Sequence, residues 1–133
     1  MKKLEHIGIA VLDLEAAKAK YSIILNTDCY KQEEVISQQV ITAFFKTADQ
    51  KIELLQGTHP SSVISKFIRK HGEGIHHIAF LVDDLDLEIQ RLEHQGYKTI
   101  SPPLKGADDK LVTFLHPKDT NGVLIELCMS CNL

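Results

Sequence analysis

Two histidines and two glutamates sit at matching places of an internal repeat. His6 stands near the start of Glu5-His6-Ile7-Gly8-Ile9-Ala10-Val11-Leu12-Asp13-Leu14, and His77 holds the same place in His76-His77-Ile78-Ala79-Phe80-Leu81-Val82-Asp83-Asp84-Leu85. Each histidine is followed, at nearly the same interval, by an acid: Glu53 in Lys51-Ile52-Glu53-Leu54-Leu55 and Glu126 in Leu124-Ile125-Glu126-Leu127-Cys128. Imidazole and carboxylate together suit borderline divalent ions such as Zn, Co, Ni, Mn or Fe(II), and a set without thiolate differs from a closed structural zinc site. A lone strand histidine is more often a hydrogen-bonded structural residue than a ligand. Four donors repeating in register favour a metal site at His6, Glu53, His77 and Glu126.

Alternation along the strands decides how these side chains point. Successive strand residues face opposite ways, so Glu53 shares a face with Lys51 and Leu55, and Glu126 with Leu124 and Cys128. A carboxylate on a packed face costs several kcal/mol unless it meets a metal, an arginine or a proton. Aligning the copies puts His77 opposite His6, which leaves His76 on the other face. Cys128 reads as a small buried hydrophobe on the face of Glu126.

The elements that must position these residues recur in the same order. His6 to Val11 and His77 to Val82 read as strands. Asp13 caps a helix over Glu15 to Leu25 with apolar residues at Ala16, Ala19, Ile23 and Ile24, and Asp83 or Asp84 caps a second over Leu85 to Gln95 that Gly96 stops. Strands follow each helix: Cys29 to Ile36, Val40 to Lys46 and Lys51 to Gln56, then Lys98 to Ser101, Val112 to His116 and Val123 to Cys128. The class is α+β, a β-α-β-β-β unit written twice. Residues 1–58 form one module and 75–133 the other. Residues 59–74 form a linker whose helix, Val63 to Lys70, begins after Ser61 and Ser62 and ends at Gly72 and Gly74.

The 133 residues make one ordinary domain, 1–133, and a formal charge of −3 without a basic run argues against nucleic acid as a partner. Cys29, Cys128 and Cys131 lack zinc-knuckle spacing and read as reduced thiols. No apolar run suits a signal peptide or a membrane span, so the expected location is the cytoplasm, with no membrane partner.

The motifs around the ligand candidates resemble the vicinal oxygen chelate superfamily, which includes glyoxalase I, extradiol dioxygenases, antibiotic-resistance proteins and methylmalonyl-CoA epimerases. The likeness covers nearly the whole chain. It is most specific in Gly72-Glu73-Gly74-Ile75-His76-His77-Ile78-Ala79-Phe80, in Phe114-Leu115-His116-Pro117-Lys118 and in Gly122-Val123-Leu124-Ile125-Glu126-Leu127, and these motifs favour the epimerases. The resemblance implies a curved mixed sheet, glyoxalase-like, whose two modules wrap around one divalent ion (Co, Zn, Ni or Mn) at His6, Glu53, His77 and Glu126. It also implies a homodimer and an acyl-CoA substrate. The implied reaction interconverts (R)- and (S)-methylmalonyl-CoA by proton transfer at the α-carbon through a metal-stabilised enolate, for which Glu126 and Glu53 are the candidate groups that remove and return the proton.

The chain departs from the family pattern at three places. Asn26 and Gln39 stand where glycines are usual, and Thr42 stands where some epimerases carry a further glutamate. Three rivals share the resemblance. A lactoylglutathione lyase of the glyoxalase I type uses the same His/Glu/His/Glu set, an extradiol dioxygenase would leave one glutamate out of the shell, and a metal-free small-molecule-binding protein typically lacks the ligands kept here.

Overall fold

A computed structural model describes residues 2–131. The chain divides into two compact units, His6–His76 and a second running from His77 onward with the first residues of the chain.

The first unit contains most of β1 (Lys3–Ala10), then α1 (Leu14–Leu25), β2 (Lys31–Val35), β3 (Val40–Thr47), β4 (Gln50–Gly57) and α2 (Val63–His71). Its strands lie in the order β2-β3-β4-β1, with β1 parallel to β4 and the other pairs antiparallel. The second unit follows the same plan with β5 (Gly74–Leu81), α3 (Leu85–His94), β6 (Leu104–Lys105), β7 (Lys110–Leu115) and β8 (Ile125–Ser130). Its order is β5-β8-β7-β6, and β5 is parallel to β8. The doubled β-α-β-β-β plan expected from the repeat is therefore present, and the class is α+β.

Each sheet half buries one face under its own helix. In the first unit Val11, Leu14, Ala43, Phe45 and Leu54 form a core joined by Ile9, Ala17, Tyr21, Leu25, Ile41 and Ile52. Phe45 and Leu54 are wholly buried, which is worth about 1.5–3 kcal/mol for each side chain. The corresponding core of the second unit gathers Val82, Leu85 and Leu127, with Phe80, Ile89, Leu92, Leu111, Ile125 and Met129. The opposite faces are left to carry polar groups.

The caps act as their sequence suggests. Asp13 accepts from the Ala16 N–H at 3.1 Å, Asp84 rather than Asp83 from the Leu87 N–H at 3.1 Å, and Ser62 from the Ile64 N–H at 3.2 Å. The expected glycine stops also appear, with Gly96 at φ 92° and Gly72 at φ 82°. Further along α3, Glu88 meets both Arg91 and Lys2. Hydrogen bonds from Arg91 and then Lys2 hold its carboxyl below the ordinary glutamate range, so this tie is present at neutral pH and lost in acid as the carboxyl takes a proton.

Two expectations need correction. The apolar stripe of α1 is not Ala16, Ala19, Ile23 and Ile24: Ile23 is 81% exposed and Ile24 65%. The buried stripe runs through Leu14, Ala17, Tyr21 and Leu25, an equally good helical spacing. Leu14 is buried in the core, and its N–H donates to Gln56 Oε1 of β4 at 2.7 Å. Lys98 to Ser101 is not a strand either. It touches β7 through a bridge between Thr99 and Leu115 and through the Ile100 N–H, which donates to Phe114, and regular pairing starts only at Leu104. Pro102 and Pro103 lack the N–H groups that a continuous ladder needs.

Among the described residues no helix is long and apolar enough to cross a membrane. The three cysteines form no disulfide.

Asn26 and Gln39, which replace the expected glycines, both adopt the left-handed conformation, at φ 52° and φ 56°. Asparagine tolerates that region, whereas glutamine bears the steric cost of its Cβ, about 1–2 kcal/mol. Gln39→Gly should therefore raise the unfolding free energy, by up to about 1 kcal/mol after the entropy that glycine gains in the unfolded chain. Gln39→Val should lower it, and urea melts of the two variants check the contrast.

Candidate metal centre

The helix-free face of the first unit carries His6 and Glu53. β1 and β4 run parallel with Gly8 opposite Glu53 and His6 opposite Lys51, so the histidine and the acid are diagonal neighbours on adjacent strands. His6 Nε2 lies 3.3 Å from Glu53 Oε1. Both residues are buried, 5% and 4% exposed. Phe44 stands opposite Glu53 on β3, and its ring meets His6 edge-on at 6.5 Å between centroids.

The second unit repeats this arrangement. On parallel β5 and β8, Ala79 is opposite Glu126, and His77 Nε2 lies 3.4 Å from Glu126 Oε1. These two residues are 3% and 6% exposed. Phe114 faces Glu126 from β7 and meets His77 edge-on at 6.2 Å. Each expected histidine is thus brought to its own glutamate.

The donor chemistry fits a divalent ion. Two ligand atoms each about 2.0–2.2 Å from one ion, at tetrahedral or octahedral angles, are separated by roughly 2.9–3.5 Å. Both His–Glu spacings fall in that interval. A carboxylate this deeply buried would also be costly beside a neutral imidazole alone, and an ion would offset that cost.

His76 is placed differently. It is half-buried, and its ring stands edge-on to Phe67 of α2 at 5.0 Å. The repeat alignment that selected His77 therefore matches the structure. Cys128 is fully buried with Ala79 and Val112, as a small hydrophobe would be.

Sequence reading missed Phe44 and Phe114, the aromatic walls of the two pairs. Each stands on the strand that precedes the acid strand, but at unequal intervals from its glutamate, and the strand register is what places it opposite the acid. The departure at Thr42 also gains a context, since this residue shares the face of Phe44 and is wholly buried.

This fold and its paired donors define a class, and the chain belongs to the glyoxalase/bleomycin resistance protein/dioxygenase superfamily, whose family model matches residues 5–114. Within it, the chain is 39% identical over 128 residues to the ethylmalonyl-CoA/methylmalonyl-CoA epimerase of Cereibacter sphaeroides, covering 94% of this chain and 96% of the relative. It is 37% identical over 127 residues to the human mitochondrial methylmalonyl-CoA epimerase, covering 94% of this chain and 72% of the relative. Among solved structures, a hypothetical protein from Bacillus halodurans superposes with a TM-score of 0.95 at 40% identity, covering 99% of this chain and 96% of that one. A variant of the Streptomyces coelicolor methylmalonyl-CoA epimerase in complex with 2-nitronate-propionyl-CoA gives a TM-score of 0.91 at 34% identity, covering 98% and 96%.

The contrasting surroundings of the adjacent histidines generate a direct test. His77→Ala should strip most of the bound divalent metal, measured by plasma mass spectrometry of the purified protein, while His76→Ala leaves it largely in place. Equal loss from both would mean that His76 also serves the centre.

Proposed function

We propose that this chain is a metal-dependent methylmalonyl-CoA epimerase. The observation that carries the proposal is the duplicated buried His–Glu pair, in a chain that is 37–39% identical to relatives named as epimerases of this substrate. On this reading His6, Glu53, His77 and Glu126 hold one divalent ion, Co, Zn, Ni or Mn, within a single domain spanning 1–133. The same reading carries a cytoplasmic homodimer.

The α-hydrogen of methylmalonyl-CoA lies between a thioester and a carboxylate. The ion, when bound, supplies Lewis-acid stabilisation of negative charge on the substrate's oxygens. Inversion requires one group to remove the proton from one face of the carbon and another to return a proton to the opposite face. We assign these tasks to the carboxylates of Glu126 and Glu53. The histidines donate as neutral imidazoles and fix the neighbouring acids, and Phe44 and Phe114 keep water from the buried pairs.

A glyoxalase I-type lyase is the second reading, because it uses the same donor set. Proton NMR of methylmalonyl-CoA in D₂O separates the two. The metal-loaded protein should exchange the α-proton and interconvert the isomers, chelator-treated protein should not, and readdition of Co, Ni, Mn or Zn should restore exchange. Absence of exchange, with conversion of the glutathione–methylglyoxal adduct, would overturn the epimerase reading.

The acid assignment has its own outcome. Glu126→Gln and Glu53→Gln should each slow epimerisation by about 10²-fold or more, the usual scale of a lost general base. Each should block exchange from a different stereoisomer. Wild-type epimerisation by Glu53→Gln would leave Glu53 as a ligand only.

A further inference from the structure

Thr42 carries the one buried side-chain polar atom that lacks a hydrogen-bond partner among the described residues, its Oγ1. The residue is wholly buried in the middle of β3. An unsatisfied hydroxyl in such a place is destabilising, and valine would fill the same volume without that cost. The fold shows this directly. β3 and β7 correspond through Phe44 and Phe114, each opposite its glutamate, so Thr42 corresponds to Val112. At that place the second unit seats a buried valine within an apolar cluster.

The hydroxyl belongs to the face of the candidate centre. Thr42 is two residues from Phe44 on β3 and lies opposite Leu55, which is two residues from Glu53 on β4. Like His6 and Glu53 on the same face, it is buried. Across the sheet it is opposite Glu33 on β2, whose carboxylate lies 3.6 Å from Lys31 Nζ.

We propose that Thr42 is a substrate-binding residue whose hydroxyl donates to the thioester carbonyl oxygen of a 2-carboxyacyl-CoA. This inference rests on the epimerase reading and adds an orientation to it. A hydrogen bond to an oxygen that gains negative charge strengthens as the α-proton leaves, so it acts on kcat more than on KM.

The test compares Thr42→Val, Thr42→Ser and wild type, all metal-loaded, by thermal melting and by initial rates with methylmalonyl-CoA. Thr42→Val should melt at or above the wild-type temperature, keep its metal, and lose about 10- to 100-fold in kcat with KM within about two-fold, the scale of one such donor. Thr42→Ser should keep most of the rate. If the valine variant does not fold, Thr42→Ala against Thr42→Ser makes the same comparison. Wild-type kinetics in Thr42→Val overturn the inference while leaving the epimerase reading intact. A raised KM at unchanged kcat means uniform binding and not a bond that strengthens as charge develops, and overturns the assignment. A lower melting temperature with full activity shows that the hydroxyl serves structure only. A wild-type protein that neither exchanges nor turns over methylmalonyl-CoA overturns both readings.

Discussion

Burial of a carboxylate beside a histidine is the constraint on which each half of this structure turns. Glu53 and Glu126 lie on strands whose neighbouring residues are apolar, and a charge taken out of water there costs several kcal/mol unless a partner compensates. The β-α-β-β-β plan supplies that partner. The histidine is on the first strand of the unit and the glutamate on the last, and parallel pairing of β1 with β4, and of β5 with β8, makes them diagonal neighbours. The helix that follows the first strand covers the other face, so core packing and the donor pair never compete for the same side of the sheet.

Period-2 alternation makes most of this legible in the sequence. Ile52 and Leu54 were bound to face away from Glu53, and the core under α1 contains both. Repetition then did what a single copy could not, selecting His77 over its neighbour His76. Local chemistry marked the helix starts, because an Asx or serine side chain that accepts from the first free N–H groups works wherever the helix later packs.

What escaped the sequence was decided by contacts between distant segments. The face of α1 depends on its packing against Ala43, Phe45 and Leu54 of distant strands, which takes in Leu14, Ala17, Tyr21 and Leu25 and leaves Ile23 and Ile24 exposed. Lys98 to Ser101 has strand-like composition, yet pairing there depends on what Pro102 and Pro103 can offer to β7. Phe44 and Phe114 carry no titratable or ligating group that would single them out in the sequence. Only the register of β3 with β4 and of β7 with β8 shows that they face the acids.

A duplicated unit also suits the chemistry proposed for it. Inversion at carbon asks for similar groups on opposite faces of one atom, and two copies of a His–Glu–Phe constellation provide similar groups without separate invention. Exact equality would be a handicap, because methylmalonyl-CoA has chemically different ends and must bind in one orientation for each acid to meet its own face. The repeat keeps His, Glu and Phe in both copies, while the next position outward from each phenylalanine is Thr42 in one and Val112 in the other. The substitution leaves volume nearly unchanged and alters one oxygen, so it can break the symmetry of recognition while disturbing neither sheet.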